Sequence, residues 1–297
     1  MHKLRLITFT VTFFTLCSLY LSGCSQLTIN LPAIADSQKR HPGQVVWRDL
    51  LTHDMKATKQ FYSGLFGWTF TEIPNAFGAS AYHLISFEGQ TIGGAVDTAG
   101  LKKGQELSQW VSVFSSTDLA ASVKSVTALG GSIEGGPQSV GDRGQLAVVR
   151  DSQGAVFALL QTAKGDPVKT PTKAGYFLWQ ELWNTDGDGQ FYTTLFGAQA
   201  QTSKLGSAHF TYFTVREQPA FSVTRSPIEG LAPTWVTYVH VDDVQATVKK
   251  AQALGGVIAV APQRNPIGGE LAVILDPSGA GFIVQTWQAN QDKGANK

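Results

Sequence analysis

Few residues of this chain could do chemistry, and the most suggestive are a carboxylate and an imidazole in its second half. Because alternate strand residues share a face, Glu181 lies with Trp179 and Trp183, and His240 lies with Tyr238. A glutamate that orients an imidazole can move protons to and from a substrate. We therefore single out Glu181 and His240 as the candidate catalytic pair, with the alternative that the histidine, near a strand end, is structural.

Other kinds of chemistry are excluded by composition. The 297 residues include two cysteines, Cys17 and Cys24, and both lie near the start of the chain. The remainder therefore has no thiol nucleophile, no internal disulfide and no cysteine ligand for a metal. The net charge is +1, and the lysines and arginines are scattered rather than arranged in a basic stripe. We therefore expect no nucleic-acid partner.

The first residues have the pattern of a secreted lipoprotein. Lys3 and Arg5 precede an apolar run over residues 7–20. A membrane span needs about 20 apolar residues, so this run suits a signal peptide better. The run is followed by Leu21-Ser22-Gly23-Cys24, which resembles the bacterial lipobox, whose cysteine is acylated and becomes the new N-terminus. Ser25 resembles the residue that favours sorting to the outer membrane.

These features define a predicted organisation of the N-terminal part. We expect residues 1–23 to be a signal peptide and residues 24–43 to be a lipidated tether that begins at Cys24. The acyl chains would hold the protein on the bacterial membrane, at the outer membrane and facing the periplasm. The alternatives are a transmembrane anchor or an ordinary cleaved signal.

The rest of the chain contains one pattern twice. The copies occupy residues 44–164 and 174–289, with a linker at 165–173 and a tail at 290–297. Four blocks recur in nearly the same order and spacing, and such self-similarity indicates duplicated structural units. The paired blocks are 47–50 with 179–182, 61–67 with 191–197, 128–131 with 253–256, and 145–151 with 270–276.

Each copy has the pattern of a strand, a helix and further strands, repeated once. In the first copy, residues 54–66 carry a helical pattern that Gly67 ends, and Asp118 or Thr117 caps a second helix. The turn that begins at Asp151 joins the last two strands into a hairpin. The second copy repeats these signals.

This arrangement resembles the vicinal-oxygen-chelate superfamily, which includes glyoxalases, bleomycin-resistance proteins and dioxygenases. The resemblance rests on Phe61-Tyr62-x-x-Leu65-Phe66-Gly67-Trp68, on Leu129-Gly130-Gly131, and on the turns at Asp151 and Asp276. It covers nearly all of residues 44–289. It implies an α+β fold of four βαβββ units, which form two tandem modules whose curved sheets enclose clefts.

The resemblance also allows the metal chemistry of the family to be tested on this chain. Metal-dependent members bind a divalent ion through His, Gln or Glu at set strand positions. The aligned positions are occupied here by Trp47, Val111 and Ala158 in the first copy and by Trp179, Val236 and Ile283 in the second. None of these side chains provides the imidazole or carboxylate that such ions need. We therefore predict no divalent metal and no other cofactor.

The cleft-facing residues are the candidate binding residues. They combine stacking surfaces with a few polar groups, as small-molecule sites do. Two alternatives stay open: the aromatic rings only fill the interior, or each carboxylate only binds backbone amides or a nearby basic residue. The candidate ligand-binding residues are Trp47, Asp49, Trp179, Glu181, Trp183, Tyr238, His240 and Gln285.

Three functions are compatible with these observations. The leading hypothesis is a membrane-anchored, metal-free module that binds a small hydrophobic or aromatic molecule, as the resemblance to bleomycin-resistance proteins implies. The second is an enzyme, either a lyase, isomerase or dioxygenase with displaced ligands or a metal-free acid–base catalyst. The third is a structural or interaction protein with filled clefts. Because it holds more stacking surface, the second copy is the favoured site.

Overall fold

The computed structural model describes residues 29–77, 80–99, 107–169, 171–205, 208–265 and 268–287. The predicted signal peptide and lipobox, including Cys24, and the predicted tail at 290–297 lie outside the described residues. Within the described ranges, no helix is both long enough and apolar enough to cross a membrane.

The described elements repeat one order four times, namely a strand, a helix and three strands. The first module consists of β1 (Val45–Thr52), α1 (Met55–Phe66), β2 (Thr69–Phe77), β3 (Ser80–Phe87), β4 (Gln90–Asp97), β5 (Gln109–Ser115), α2 (Leu119–Ala128), β6 (Ser132–Ser139), β7 (Gly144–Arg150) and β8 (Val156–Thr162). The second consists of β9 (Phe177–Asn184), α3 (Gln190–Phe196), β10 (Gln199–Leu205), β11 (Ala208–Val215), β12 (Gln218–Arg225), β13 (Thr234–His240), α4 (Val244–Ala253), β14 (Val257–Arg264), β15 (Glu270–Leu275) and β16 (Gly281–Gln285). The predicted α+β fold of four βαβββ units is confirmed.

Each module forms one eight-stranded sheet. The strand order is β2-β3-β4-β1-β5-β8-β7-β6 in the first module and β10-β11-β12-β9-β13-β16-β15-β14 in the second. The two units of a module meet where β1 pairs antiparallel with β5, and β9 with β13. The helices cover one face of each sheet, and we call the opposite face the inner face.

The helix ends follow the predicted signals. The Asp54 side chain accepts a hydrogen bond from the Ala57 amide, and Asp118 does the same with Ala121. These contacts satisfy amides that the first turn of a helix leaves without partners. Gly67 ends α1 in the left-handed conformation at φ 76°, which explains why glycine follows this helix.

The two modules pack against each other through their helix faces. One buried cluster joins α1 to α4 and contains Phe61, Tyr62 and Phe282, while a second joins α2 to α3. Phe61 and Tyr62 are fully buried and belong to the core. Because both cores are shared, the modules form a back-to-back pair with the inner faces on opposite sides.

Each module has a tyrosine in its Phe-Tyr block and an aspartate at its last turn. The tyrosine of each module reaches the aspartate of the other module. The Tyr192 hydroxyl donates to Asp151 Oδ2 at 2.8 Å, and Tyr62 interacts with Asp276 in the equivalent place. Burial raises the pKa of both tyrosines, so each stays neutral, and burial also raises the pKa of Asp276. The residues that carry the family resemblance therefore hold the modules together.

The segment that precedes β1 differs from the predicted tether. Residues 29–36, which we call the strap, lie on the inner face of the first module rather than leading away from it. The Asn30 amide donates to the Ala76 carbonyl, and the Leu31 amide donates to the Val140 carbonyl, both at 3.0 Å. Leu31 is only 3% exposed, because its apolar side chain is buried against this face.

After the strap, the chain binds to the start of the predicted linker. The Gln38 amide donates to the Lys164 carbonyl, and the Asp166 amide donates to the Lys39 carbonyl. The His41 amide donates to the Asp166 carboxylate at 2.6 Å. Residues 37–41 are therefore fixed to the body of the protein by backbone hydrogen bonds.

Candidate functional site

The inner face of the second module brings together most of the predicted binding residues. Trp179, Glu181 and Trp183 alternate along β9 and point to this face. In the neighbouring strand β13, Tyr238 pairs with Trp179, and Val236 pairs with Glu181. The predicted alternation of side chains along β9 and β13 is therefore correct. It places the Glu181 carboxylate among the aromatic side chains of Trp179, Trp183 and Tyr238.

Glu181 is the centre of the polar network on this face. Its Oε2 accepts hydrogen bonds from Trp183 Nε1 at 2.8 Å and from the Tyr238 hydroxyl at 2.5 Å. Its Oε1 accepts from Ser222 at 3.0 Å and from Thr224 at 2.8 Å. Four donors fill the acceptor capacity of a carboxylate. Burial and the Glu181 charge raise the pKa of Tyr238, so this phenol remains a donor.

Trp179 extends this network toward solvent. Its Nε1 donates to the Ser222 hydroxyl at 2.9 Å, and that hydroxyl in turn donates to Glu181. Trp183 and Tyr238 are buried, whereas Trp179 and Glu181 are partly exposed. An incoming molecule would therefore meet the Trp179 ring first, at a position that hydrogen bonds already fix.

The predicted acid–base pair is not assembled. The hydrogen bonds that the structure gives Glu181 come from other side chains, and Tyr238, two residues before His240 on β13, provides one of them. His240 lies at the strand end, where its backbone bonds to Gly175 and Tyr176. Burial lowers the pKa of His240, which favours the neutral ring. Gln285 lies on the neighbouring strand β16, where it pairs with His240 and is buried.

The inner face of the first module carries a different network. Trp47 Nε1 donates to Asp49 Oδ1 and to the Tyr82 hydroxyl, both at 3.0 Å. The Tyr82 hydroxyl donates to the same Asp49 oxygen at 2.5 Å. Tyr82 reaches this position across Gly94, where an added Cβ would lie 1.6 Å from the hydroxyl oxygen. Glycine is therefore required at this position of β4.

Arg143 completes the first-module network, and the sequence did not predict it. This residue is 1% exposed, and its Nη1 donates to the Tyr82 hydroxyl at 2.8 Å. Its guanidinium carbon lies 4.8 Å from the centre of the Trp47 ring and 4.9 Å from that of Tyr82. When the two copies are aligned at Gly144 and Gly269, Arg143 of the first copy aligns with Gly268 of the second. This difference between the copies was the sequence signal that could have identified Arg143.

The residues at the aligned metal positions do not fit a divalent ion. Trp47, Val111 and Ala158 all belong to the buried apolar cluster of the first inner face, and Val236 and Ile283 belong to that of the second. Among the residues that the structure describes, no group of three or more His, Cys, Asp or Glu side chains could hold a metal. Each inner face instead has a central carboxylate, Asp49 or Glu181, that accepts hydrogen bonds from neighbouring side chains.

A recess also exists outside the inner faces. It measures about 190 Å³ and lies at the module boundary, where Asp151, Gln153 and Asp188 are among its lining residues. The predicted binding residues do not line it, and Asp151 and Asp188 accept hydrogen bonds from neighbouring groups. It therefore belongs to the packing between modules.

Comparison with known proteins agrees with this fold. Residues 43–159 and 189–284 match the family model of the Glyoxalase/Bleomycin resistance protein/Dioxygenase superfamily, and the chain belongs to this superfamily. It is 31% identical over 258 residues to the anthracycline biosynthesis protein DnrV of Streptomyces peucetius, covering 82% of this chain and 93% of that protein. It is 28% identical over 242 residues to CFP32 of Mycobacterium tuberculosis, provisionally named a glyoxylase, covering 80% and 92%.

Solved structures share the fold at low sequence identity. The Mn(II)-bound glyoxalase from Novosphingobium aromaticivorans superposes with a TM-score of 0.52 at 14% identity, covering 82% of each chain. The 2,2',3-trihydroxybiphenyl 1,2-dioxygenase of Sphingomonas wittichii gives 0.54 at 12% identity, covering 84% of this chain and 91% of that one. These structures agree in fold with the predicted family resemblance, which the family match over residues 43–159 and 189–284 confirms.

Proposed function

We propose that this protein is a membrane-anchored, metal-free member of the superfamily that binds a small, flat, apolar molecule on the inner face of its second module. The observation that carries the proposal is the partly exposed Trp179 ring, which the Ser222–Glu181 network holds in one orientation. Binding sites of this kind combine an apolar surface with side chains fixed by surrounding hydrogen bonds.

The same network favours binding over acid–base catalysis. Because Glu181 already accepts four hydrogen bonds, it has little capacity left to take a proton from a substrate. His240 is not bonded to it in the described network. We therefore assign Glu181 the role of positioning Trp183 and Tyr238, with Trp179 as the ligand-contacting ring.

Polycyclic aromatic molecules are the ligand class that we propose. A planar ring system would stack on Trp179 and pack against the half-buried Leu178 and Ile228 at the edge of the apolar cluster. The relative named for anthracycline biosynthesis supports the same class. The strap leaves this face of the molecule uncovered and lies on the first module instead.

The proposal can be tested with 1,8-dihydroxyanthraquinone as the probe. Titration calorimetry on the parent should give one binding event, and Trp179→Ala should weaken it about ten- to a hundredfold, the effect of losing an aromatic anchor. Trp47→Phe is the matched control, because it changes a tryptophan on the other inner face and should leave affinity unchanged. Equal loss from both variants, or loss from neither, would exclude the second-module site.

The anchor is a separate part of the proposal. Cys24→Ala removes the predicted acylation site, so the variant should appear in the soluble fraction while the parent fractionates with the outer membrane. Metabolic labelling with a palmitate analogue should mark the parent and not the variant. A variant that stays on membranes through a high-salt wash would show that something other than this lipid holds the protein.

A further inference from the structure

The strap occupies the place on the first module where a ligand would lie. Leu31 belongs to the same apolar cluster as Trp47, Val111 and Ala158, the residues at the family's metal-binding positions. Ile29 and Ile34 pack against the edge of this cluster. A segment of the chain itself therefore covers the first inner face, and the second module has no counterpart of it among its described elements.

Beneath the strap lies a cation whose polar contacts are incomplete. Arg143 Nε donates to the Pro32 carbonyl at 3.2 Å, while Nη2 is buried and has no hydrogen-bond partner among the described residues. Within the same described residues, no carboxylate lies at ion-pair distance from Arg143. A buried guanidinium with an unpaired donor costs free energy that a suitable anion would recover.

The geometry of the guanidinium specifies the missing anion. Nε and Nη2 form the side of the group that binds the two oxygens of a carboxylate simultaneously. The single Pro32 carbonyl satisfies only one of these two donors. The Trp47 and Tyr82 rings lie against the guanidinium carbon, so a carboxylate at the fork would be flanked by aromatic surface.

We propose that the first inner face is a second binding site, selective for planar aromatic carboxylates, and that the strap occupies this site until such a ligand displaces it. The carboxylate replaces the Pro32 carbonyl and pairs with both Nε and Nη2 of Arg143. The ring system replaces the Leu31 side chain in the apolar cluster. This site has its own residues, and it holds whether or not the second module binds a ligand.

The decisive test uses the full chain with Trp179→Ala, so that binding at the second module does not interfere. The probe is 9-anthracenecarboxylate, and its uncharged control is 9-anthracenemethanol. Leu31→Ala weakens the hold of the strap, so it should raise affinity for the carboxylate at least about tenfold. Asn30→Ala is the matched control, because Asn30 is adjacent but exposed, and it should leave affinity unchanged.

The role of Arg143 is tested in the same background. Adding Arg143→Gln to Leu31→Ala should abolish the gain for the carboxylate, and the uncharged probe should show little gain in either variant. If folded Leu31→Ala protein binds the carboxylate no better than its parent, the strap is not a competitor. If both probes gain equally, or if Arg143→Gln has no effect, the proposed carboxylate selectivity is wrong.

Hydrogen exchange provides a test that does not depend on a folded variant. Saturating 9-anthracenecarboxylate should speed exchange of the Asn30 and Leu31 amides in the chain with an unmodified strap, since displacement breaks their bonds to Ala76 and Val140. The Gly67 amide, bonded to the Ser63 carbonyl at the end of α1, should exchange at an unchanged rate. Unchanged exchange at Asn30 and Leu31 under saturation would overturn the proposal.

Discussion

The two inner faces have the same strands, yet they hold their central carboxylates differently. In the first module, Gly94 leaves room for Tyr82 of β3 to reach Asp49. In the second, the position that pairs with the carboxylate is Ser222, which donates to Glu181 itself. The duplicated backbone therefore fixes where the carboxylate lies, whereas local side-chain size decides which residues bind it and how much space remains above it.

The same difference decides which face is covered. In the first module, Tyr82 and Arg143 build a network that the strap buries, and Trp47 is 2% exposed as a result. In the second, Gly268 aligns with Arg143, and Trp179 stays partly exposed. The strap thus covers the inner face of the first module, whereas the inner face of the second module leaves the Trp179 ring accessible.

The largest expected effect follows from this difference in burial. Trp47→Ala should lower the free energy of unfolding by about 3–5 kcal/mol, because it removes a buried ring and two hydrogen bonds. Trp179→Ala should cost no more than about 2 kcal/mol, because its ring is partly exposed. Chemical denaturation of both variants measures the two values. Similar losses would mean that the two inner faces are equally packed.

A second pair of substitutions compares equivalent backbone positions. Gly94→Ala places a methyl group where the Tyr82 hydroxyl lies, so it should cost about 1–3 kcal/mol or more. Ser222→Ala only removes hydrogen bonds to Trp179 and Glu181 and should cost about 1 kcal/mol. Thermal unfolding distinguishes them. If Gly94→Ala is harmless, Tyr82 does not occupy that space in solution.

Replacing Asp151 or Asp276 by asparagine should lower the free energy of unfolding by different amounts. Asp151 accepts a hydrogen bond from Tyr192 and from three backbone amides, so Asp151→Asn should cost about 1–3 kcal/mol. Asp276 has one oxygen without a hydrogen bond among the described residues, and Asp276→Asn should cost less than about 1 kcal/mol at pH 7.

The pH dependence of the Asp276 variant has a defined sign. Burial raises the pKa of Asp276, so its contribution to stability is present below the unfolded pKa and is lost as the pH rises through the folded pKa. Asparagine does not titrate. Relative to the parent, Asp276→Asn should therefore become more stable as the pH rises from the acid range to neutrality. Denaturation curves at several pH values that show the opposite trend would contradict this assignment.

The smallest expected effect is that of metal removal. Because the aligned positions carry Trp47, Val111 and Ala158 and their second-module counterparts, a chelator should change neither probe binding nor stability. Elemental analysis of the purified protein should find no transition metal at a stoichiometric level. One zinc, nickel or iron ion per module would contradict the proposal and restore the enzymatic alternative.

Much of the fold was predictable because it depends on local periodicity. The strand alternation that placed Trp179 with Glu181 and the Asp118 cap of α2 were correct predictions. The strap, Tyr82 and Arg143 were not predicted, because their contacts join residues far apart in sequence and depend on which strands become neighbours. Tyr82, for example, reaches Asp49 33 positions away.

Two expectations differ from the described contacts for physical reasons. Glu181 and His240 do not pair because Glu181 lies opposite Val236 in the strand register, four positions before His240 on β13. Residues 24–43 were predicted to be a tether. A single buried side chain and a few backbone hydrogen bonds fix the strap, and such contacts need no regular pattern.

The position of the strap sets the length of free chain between the proposed lipid on Cys24 and the folded body. If Cys24 carries acyl chains as proposed, only the residues up to Ile29 would separate the lipid from the folded body, and a fully extended chain would give a reach of roughly 17 Å. Release of the strap up to Ser37 would extend that reach to about 44 Å. A ligand that displaces the strap would thus enlarge the volume that the anchored protein can explore.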